Sequence, residues 1–384
     1  MNNAIPEVTI KKADIFVFRA PIAEPVRTSF GTMHDRPAVV LRLEDADGAH
    51  GWGEAWCNFP ACGAEHRARL LESVIAPLLL GRSFVSPKEG YAYLREKTKI
   101  LALQADEPGP LAQAAAAADI ALWDIFARKQ GLPLYRVMGG TGDGVMPAYA
   151  SGINPSEVLP MIEKSRAQGY RAFKFKVGFD TRKDLENVRM ATAAIKEGET
   201  LAIDANQAWD LPTALDVAAQ LKDAPLAWLE EPLRCDTHLS QWEILKSKCP
   251  VPLAAGENIR DTGDFTTVIN SGAIAVIQPD ICKWGGLSDC LPVARASLSA
   301  GLRYCPHYLG GGIGLLASAH LLAAVGGDGL LEVDANPNPL REALAQPYPE
   351  LKDGLLRLSK EPGLGVEPAT SDLGAFLVMY KELH

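Results

Sequence analysis

The stretch RAFKFKVGFDTRKDLENVRMATAAIKEGETLAIDANQ (171–207) holds a strand-like run, a helical segment and a second strand-like run. Each apolar run ends in a charged side chain, Lys176 and then Asp204. Moving outward, the same unit recurs: Glu230 in AWLEEPL, Glu257 in LAAGENI, Asp280 in AVIQPDI, His307 in RYCPHYL and Glu332 in GLLEVD. The steps from Lys176 onward are 28, 26, 27, 23, 27 and 25 residues. A parallel (β/α) barrel repeats at this length and gathers its strand ends at one face, so residues distant in sequence converge there. With VMPAYAS (145–151) as the first strand, the pattern gives eight strands and seven intervening helices. That predicts a modified TIM barrel of (β/α)7β form over 141–340.

The N-terminal part reads differently, strands before helices. VTIKKADIFVFRA (8–20) and PAVVLRLED (37–45) are strand-like, with Asp47-Gly48 a turn before GWGEAW. EPVRTSFGTMHDR (24–36) between them reads as a loop. HRARLLESVIAPLLLG (66–81), SPKEGYAYLREKTKILAL (86–103) and PLAQAAAAADIALWDIFARKQG (110–131) have helical spacing, with Ser86-Pro87 and Gly131 as start and stop signals. A separate α+β domain over 1–140 is expected, and a Pro-rich C-terminal segment, 341–384, is expected to return to it.

The chain has 384 residues, 47% hydrophobic and 22% charged, as in globular proteins, and its net charge of −9 argues against non-specific nucleic-acid binding. No secretion leader is expected from MNNAIPEVTIKKADIFVF, and no membrane span is expected, since the longest apolar stretch is broken by Asp119 and Asp124. Seven cysteines, an odd number without a CxxC pair, fit reduced thiols in a cytoplasmic protein.

Asp204, Glu230 and Glu257 end three consecutive predicted strands. One alone is an ordinary solvated carboxylate; three side by side in a partly buried site call for a positive charge. An all-oxygen set without His or Cys suits Mg²⁺ rather than Zn²⁺. Lys174 and Lys176 flank Phe175 and share a strand face; with Phe173, Phe175 and Val177 toward the helices, both lysines point into the barrel. Two adjacent ammonium groups lower each other's pKa, as a lysine base requires. The alternative is a solvent-facing pair. Asp280 and His307, on neighbouring strands, can form a His–Asp dyad, though a lone histidine is commonly satisfied by backbone. No G-x-S-x-G supports a nucleophile triad. Gly312-Ile313-Gly314-Leu315-Leu316-Ala317 fits G-x-G-x-x-A with Glu332 about 20 residues on, which keeps an NAD-dependent dehydrogenase as a weaker alternative.

Taken in order, GWGEA, AAADIALWDIFARKQGLPLYRVMGG, the KxK at 174–176, DANQ, EEP, GEN, PDxxKxGG and the late His and Glu resemble the enolase superfamily, specifically its mandelate racemase subgroup, over nearly the whole chain. The resemblance implies Mg²⁺ held by Asp204, Glu230 and Glu257. It implies Lys176 as one acid/base, with Lys174 touching the substrate carboxylate, and His307, paired with Asp280, as the second. A protonated Glu332 would hydrogen-bond the carboxylate as it becomes an enediolate, and Asn206 would lie near substrate hydroxyls. The muconate lactonizing branch has its catalytic lysine where this chain has Asp280; Lys283 is not expected to be the base. The implied reaction is removal of a proton α to a carboxylate, most readily dehydration of a sugar-derived hydroxy acid or diacid. Racemisation, epimerisation or lactone cycloisomerisation comes next. The resemblance makes the N-terminal domain a cap over the barrel, and specificity is expected there, through Arg27, Thr28, Phe30, Trp56 and Asn58, with Arg27 either holding a distal carboxylate or standing as an ordinary surface arginine. The expected partners are a small carboxylate substrate and further copies of the chain, from dimer to octamer.

Overall fold

The fold, described for residues 7–29 and 31–384 in a computed structural model, pairs an antiparallel cap sheet with a parallel barrel. Phe30 lies outside the described residues. The cap sheet is built from β1 (Val8–Thr28), β2 (Gly31–Asp45) and β3 (His50–Ala55), with β4 (Ser83–Phe84) on the start of β1. The segment 24–36, expected as a loop, is instead the tip of the β1–β2 hairpin. Val26 pairs with Met33, Arg27 with Thr32 and Thr28 with Gly31. The register slips between Pro21 and Val26, because the proline at 25 has no N–H to give the ladder, and pairing resumes at the β-branched Val26.

The helix Pro108–Lys129 lies on β3 and is buried almost all round. Its close approach explains the glycines of GWGEA: a Cβ on Gly51 would strike the Ala121 carbonyl, and one on Gly53 that of Ala117. Ser86 caps the helix Pro87–Gln104 by accepting from Glu89 N, while the Glu89 carboxylate accepts from Val85 N.

The barrel strands are β5 (Val145–Ile153), β6 (Ala172–Lys176), β7 (Thr200–Asp204), β8 (Leu226–Glu230), β9 (Leu253–Ala255), β10 (Val276–Ile277), β11 (Arg303–Tyr304) and β12 (Leu331–Asp334), with seven helices between them. They pair in chain order, and β12 closes on β5. β10 and β11 form two-residue ladders because Pro279 and Pro306 end their donors. Asp280 and His307 therefore stand on the loops just beyond. At the seam between β11 and β12 side chains replace the ladder: the Tyr308 N–H donates to Glu332 Oε2 at 2.9 Å.

The barrel interior is layered by the two-residue strand period. Tyr149, Ala172, Ala202, Trp228, Ala254, Val276, Cys305 and Leu330 form an apolar plug. Two residues further along the same strands stand Ser151, Lys174, Asp204, Glu230, Gln278, His307 and Glu332, all buried. The segment after residue 340 serves both domains rather than the cap alone. β13 (Glu350–Lys352) and β14 (Leu355–Arg357) form a hairpin on β5, and β15 (Leu377–Leu383) pairs with β1. Among the described residues no helix is long and apolar enough to cross a membrane.

Cap and barrel are tied by Asp119, wholly buried in the helix Pro108–Lys129, which accepts from Ser288 N at 2.9 Å and Ser288 Oγ at 2.6 Å. Burial pushes its pKa up to about 7 against the hydrogen bonds from Ser288. The folded state thus holds a proton that the unfolded chain releases near pH 4, so stability falls as pH rises from about 4 to about 7. Asp119→Asn is expected to flatten this slope, removing at most about 4 kcal/mol of pH dependence in urea unfolding. An unchanged slope would show that Asp119 ionises freely in the fold.

Candidate active site

Because β6, β7 and β8 run in register, Lys176, Asp204 and Glu230 are successive cross-strand neighbours. Lys176 Nζ donates to Asp204 Oδ2 at 2.6 Å. Lys174 Nζ is bonded to Glu230, 2.7 Å from Glu332 Oε1 and 3.8 Å from Asp204 Oδ2. Glu230 also accepts from Trp228 Nε1 at 3.0 Å and Gln278 Nε2 at 2.7 Å. Glu257 follows Gly256, whose φ of 154° and contact with the Gln278 backbone leave no room for a Cβ. The Glu257 carboxylate is bonded to His307 Nε2 and accepts from Asn258 Nδ2 at 2.8 Å. On the other side of the imidazole, Nδ1 is 2.8 Å from Asp280 Oδ2. Asp280 is fixed in turn by the N–H groups of Cys282 and Lys283.

A cavity of about 370 Å³ opens above this layer, between barrel and cap. Lys176, Asn206, Glu257 and His307 line it from the barrel and Trp56 and Asn58 from the cap. Lys283 Nζ sits 4.7 Å over the Trp56 ring and donates to Asn258 Oδ1 at 2.9 Å. Asn206, Gln207 and Glu231 all take positive φ at the ends of β7 and β8, concentrating backbone strain at the site.

Three expectations change. Arg27 does not line this cavity: strand alternation turns Val26 and Thr28 toward it and leaves Arg27 exposed, beside a separate cleft with Asp180 and Asp184. Lys174 and Glu332 do not line it either. Lys174 is two residues, about 7 Å, nearer the barrel floor than Lys176, and Glu332 is committed to Lys174, Ser151 Oγ and Tyr308 N. They brace Glu230 and the seam from beneath. Burial raises the Glu332 pKa, but Lys174 and His307 outweigh it and hold the group ionised, contrary to the protonated form expected.

The lysine pair also differs from expectation. For Lys176, burial and Lys174 lower the pKa, but Asp204 outweighs both and the net shift is upward. Burial lowers the His307 pKa, yet Glu257 and Glu332 raise it further and keep the imidazolium. Glu230 is pushed up to about 7 by burial, with Asp204 and Glu332 adding to the rise and Lys174 opposing it. Sequence reasoning passed over Glu231, whose pKa burial and then Glu257 and Asp204 drive upward. It is the second acid of EEP, and its only signal was that doublet.

As placed, the carboxylates close on Lys174, Lys176 and His307, and no three His, Cys, Asp or Glu among the described residues surround a common point as metal ligands. Donor chemistry and charge nonetheless fit a hard divalent cation. Six carboxyl groups, Asp204, Glu230, Glu231, Glu257, Asp280 and Glu332, stand against four cationic groups, Lys174, Lys176, Lys283 and a protonated His307, and burial pushes Glu230 and Glu231 toward the protonated form, which a bound cation would reverse. Asn206 adds a buried Oδ1 with no hydrogen-bond partner beside Asp204. With Asp204 committed to a cation, the larger influences left on Lys176, burial and Lys174, both lower its pKa, against a smaller upward pull from Glu230.

The G-x-G-x-x-A loop is occupied from within. Glu54, the acid of GWGEA, accepts from Gly311 N at 2.6 Å and Gly314 N at 2.9 Å, filling the N-terminus of the helix Gly312–Val325 where a pyrophosphate would sit. Gly314 is there for packing, since a Cβ would enter the Tyr308 ring. Gly314→Ala is therefore expected to lower stability by about 1–3 kcal/mol in urea unfolding; no loss would mean the loop is open.

A (β/α)7β barrel whose strand ends gather two lysines, a histidine and a set of carboxylates under an α+β cap is the frame of an enolase-type enzyme. Residues 158–372 match the enolase C-terminal domain-like family and residues 12–139 the mandelate racemase/muconate lactonizing enzyme N-terminal domain; the chain belongs to the mandelate racemase subgroup of the enolase superfamily. A mandelate racemase/muconate lactonizing enzyme structure from Bordetella bronchiseptica RB50 is 51% identical, with a TM-score of 0.90, covering 96% of this chain and 99% of its own. A racemase from Streptomyces coelicolor A3(2) with bound magnesium is 26% identical, with a TM-score of 0.86 over 96% of this chain and 100% of its own. Arabinonate dehydratase from Saccharolobus solfataricus is 28% identical over 86% of this chain and 88% of its own. Dehydratases, cycloisomerases and racemases all occur among the relatives, so the chain is similar to enzymes of several outcomes built on one reaction type.

Proposed function

We propose that this protein removes the proton α to the carboxylate of a sugar-derived hydroxy acid or diacid and expels a β-hydroxyl, a Mg²⁺-dependent dehydration. The observation that carries the reading is that Lys176 and His307, from different sides of the barrel, line one cavity directly above the Asp204–Glu230–Glu257 layer. Those three carboxylates would hold the cation. Bound Mg²⁺ supplies positive charge where the substrate carboxylate gains its second negative charge.

The protein's own groups do the rest. Lys176, released from Asp204, takes the α-proton on its Nζ. Asp280 accepts from Nδ1–H of His307, which leaves Nε2 to deliver its proton to the departing hydroxyl. The β C–O bond breaks, water leaves, and the enol product becomes a 2-keto acid. Asn206 and Trp56 orient the substrate from two walls of the cavity. A second reading is favoured by the same placement: with acid and base on two sides of the substrate, proton return to the α-carbon gives epimerisation, and related proteins include racemases and cycloisomerases. Incubation with hydroxy acids and sugar diacids separates the two. Dehydration yields a 2-keto-3-deoxy acid that forms a semicarbazone; stereochemical inversion without ketone would replace it by the second reading.

A further inference from the structure

The cap end of the cavity carries a charge that the protein leaves unbalanced. Arg67, in the helix Gly63–Leu70, is 4% exposed and lines the same cavity as Lys176 and His307. Its Nε donates to Gln113 Oε1 at 2.7 Å, its Nη2 to the Phe59 carbonyl at 3.3 Å and its Nη1 to the Gly63 carbonyl at 3.4 Å, with His66 Nδ1 also 3.4 Å from Nη1. Gln113, Phe59 and Gly63 are neutral acceptors. Among the described residues no carboxylate forms an ion pair with Arg67; the nearby Glu107 is spent on His66 at 3.1 Å. A guanidinium held out of water without a counter-ion is strongly unfavourable, and burial accordingly lowers its pKa. Such a group is retained where a ligand completes it.

Two further observations agree. Arg36, 1% exposed on β2, also lines the cavity; its Nη2 is paired with Asp334, while its buried Nη1 has no partner. The cavity's ionisable lining is Arg36, Arg67, Lys176, Arg260, Lys283 and His307 against Glu257 alone, in a chain whose net charge is −9. A neutral polyol tail would leave the Arg67 charge as it stands, whereas a planar carboxylate offers two acceptors to the guanidinium fork.

We propose that Arg67, supported by the free Nη1 of Arg36, binds a second carboxylate at the far end of the substrate, which makes the substrate a dicarboxylic hydroxy acid. This rests on the α-proton chemistry proposed above, since that chemistry places the first carboxylate at the Lys176 end.

The test compares aldaric acids of four to six carbons with aldonic acids of the same skeletons, using the Mg²⁺-loaded protein. At least one aldarate is expected to exceed its aldonate in kcat/KM by about 100-fold, and Arg67→Met to bring that ratio to within about fivefold. Arg67→Lys should retain part of the preference, because it keeps the charge and loses the fork. Equal use of both acids by the wild-type protein, or a ratio unchanged in Arg67→Met, overturns the assignment. If Arg67→Met does not fold, the wild-type ratio decides. If neither acid is turned over or exchanges its α-hydrogen, the α-proton reading has failed, and calorimetry with the aldarates then judges Arg67 separately. Affinity about 100-fold weaker in Arg67→Met supports it; unchanged affinity, or no binding of any aldarate, overturns it.

Discussion

Lys176→Met is expected to lower kcat/KM for the hydroxy-acid substrate by about 10³ or more, and His307→Asn to do the same, with unfolding midpoints little changed. Lys176 and His307 line the cavity together, Lys176 bonded to Asp204 and His307 to Asp280. General acid–base groups typically contribute about 10²–10⁴ in rate, so the loss should appear mainly in kcat and not in KM. The two replacements act on one proton-transfer sequence, so the double variant should lose little beyond the worse single one. Steady-state kinetics with saturating Mg²⁺ measure this. A loss below about tenfold in either variant would remove that residue from the chemistry.

Removal of divalent cations should abolish turnover, and Mg²⁺ should restore it. The physical reason lies in the protein's own groups: six carboxyl groups stand against four cationic ones, and without a metal Asp204 binds the proposed base at 2.6 Å. Binding is readable without catalysis. Mg²⁺ at about a hundred times its Kd should stabilise the wild-type fold by about 2.7 kcal/mol. Asp204→Asn and Glu230→Gln should lose most of that stabilisation, because each removes one anionic oxygen donor. Full activity after chelation, or equal Mg²⁺ stabilisation in both variants, would contradict the assignment.

The barrel was legible because seven of its eight strands are marked twice, by the apolar run and by the ionisable residue at or just beyond its end. The two-residue period placed Lys174 and Lys176 on one face, and the inward direction followed from Phe173, Phe175 and Val177. What the period does not carry is depth. Lys174 shares the face of Lys176 but lies a layer lower, with Glu332, where neither reaches the cavity. The hairpin tip was hidden by Pro25 and Gly31, which read as loop signals although the pairing resumes at Val26. With that strand unrecognised, the alternation that turns Arg27 outward could not be applied. Arg67 was unreadable for another reason: in HRARLL it looks like Arg69, an ordinary solvated helix residue. Only the packing of its helix against Phe59 and Gln113 makes it a buried cation.

In the proposed reaction one carbon-bound hydrogen, next to a carboxylate, passes to Lys176 or His307. Proton NMR of substrate and product in D₂O follows that hydrogen directly. With wild-type protein and Mg²⁺ the α-hydrogen signal should be replaced by deuterium in substrate or lost on conversion, and the Lys176→Met/His307→Asn double variant should leave it intact. Product that still carries the original α-hydrogen, or exchange that continues in the double variant, would contradict the account.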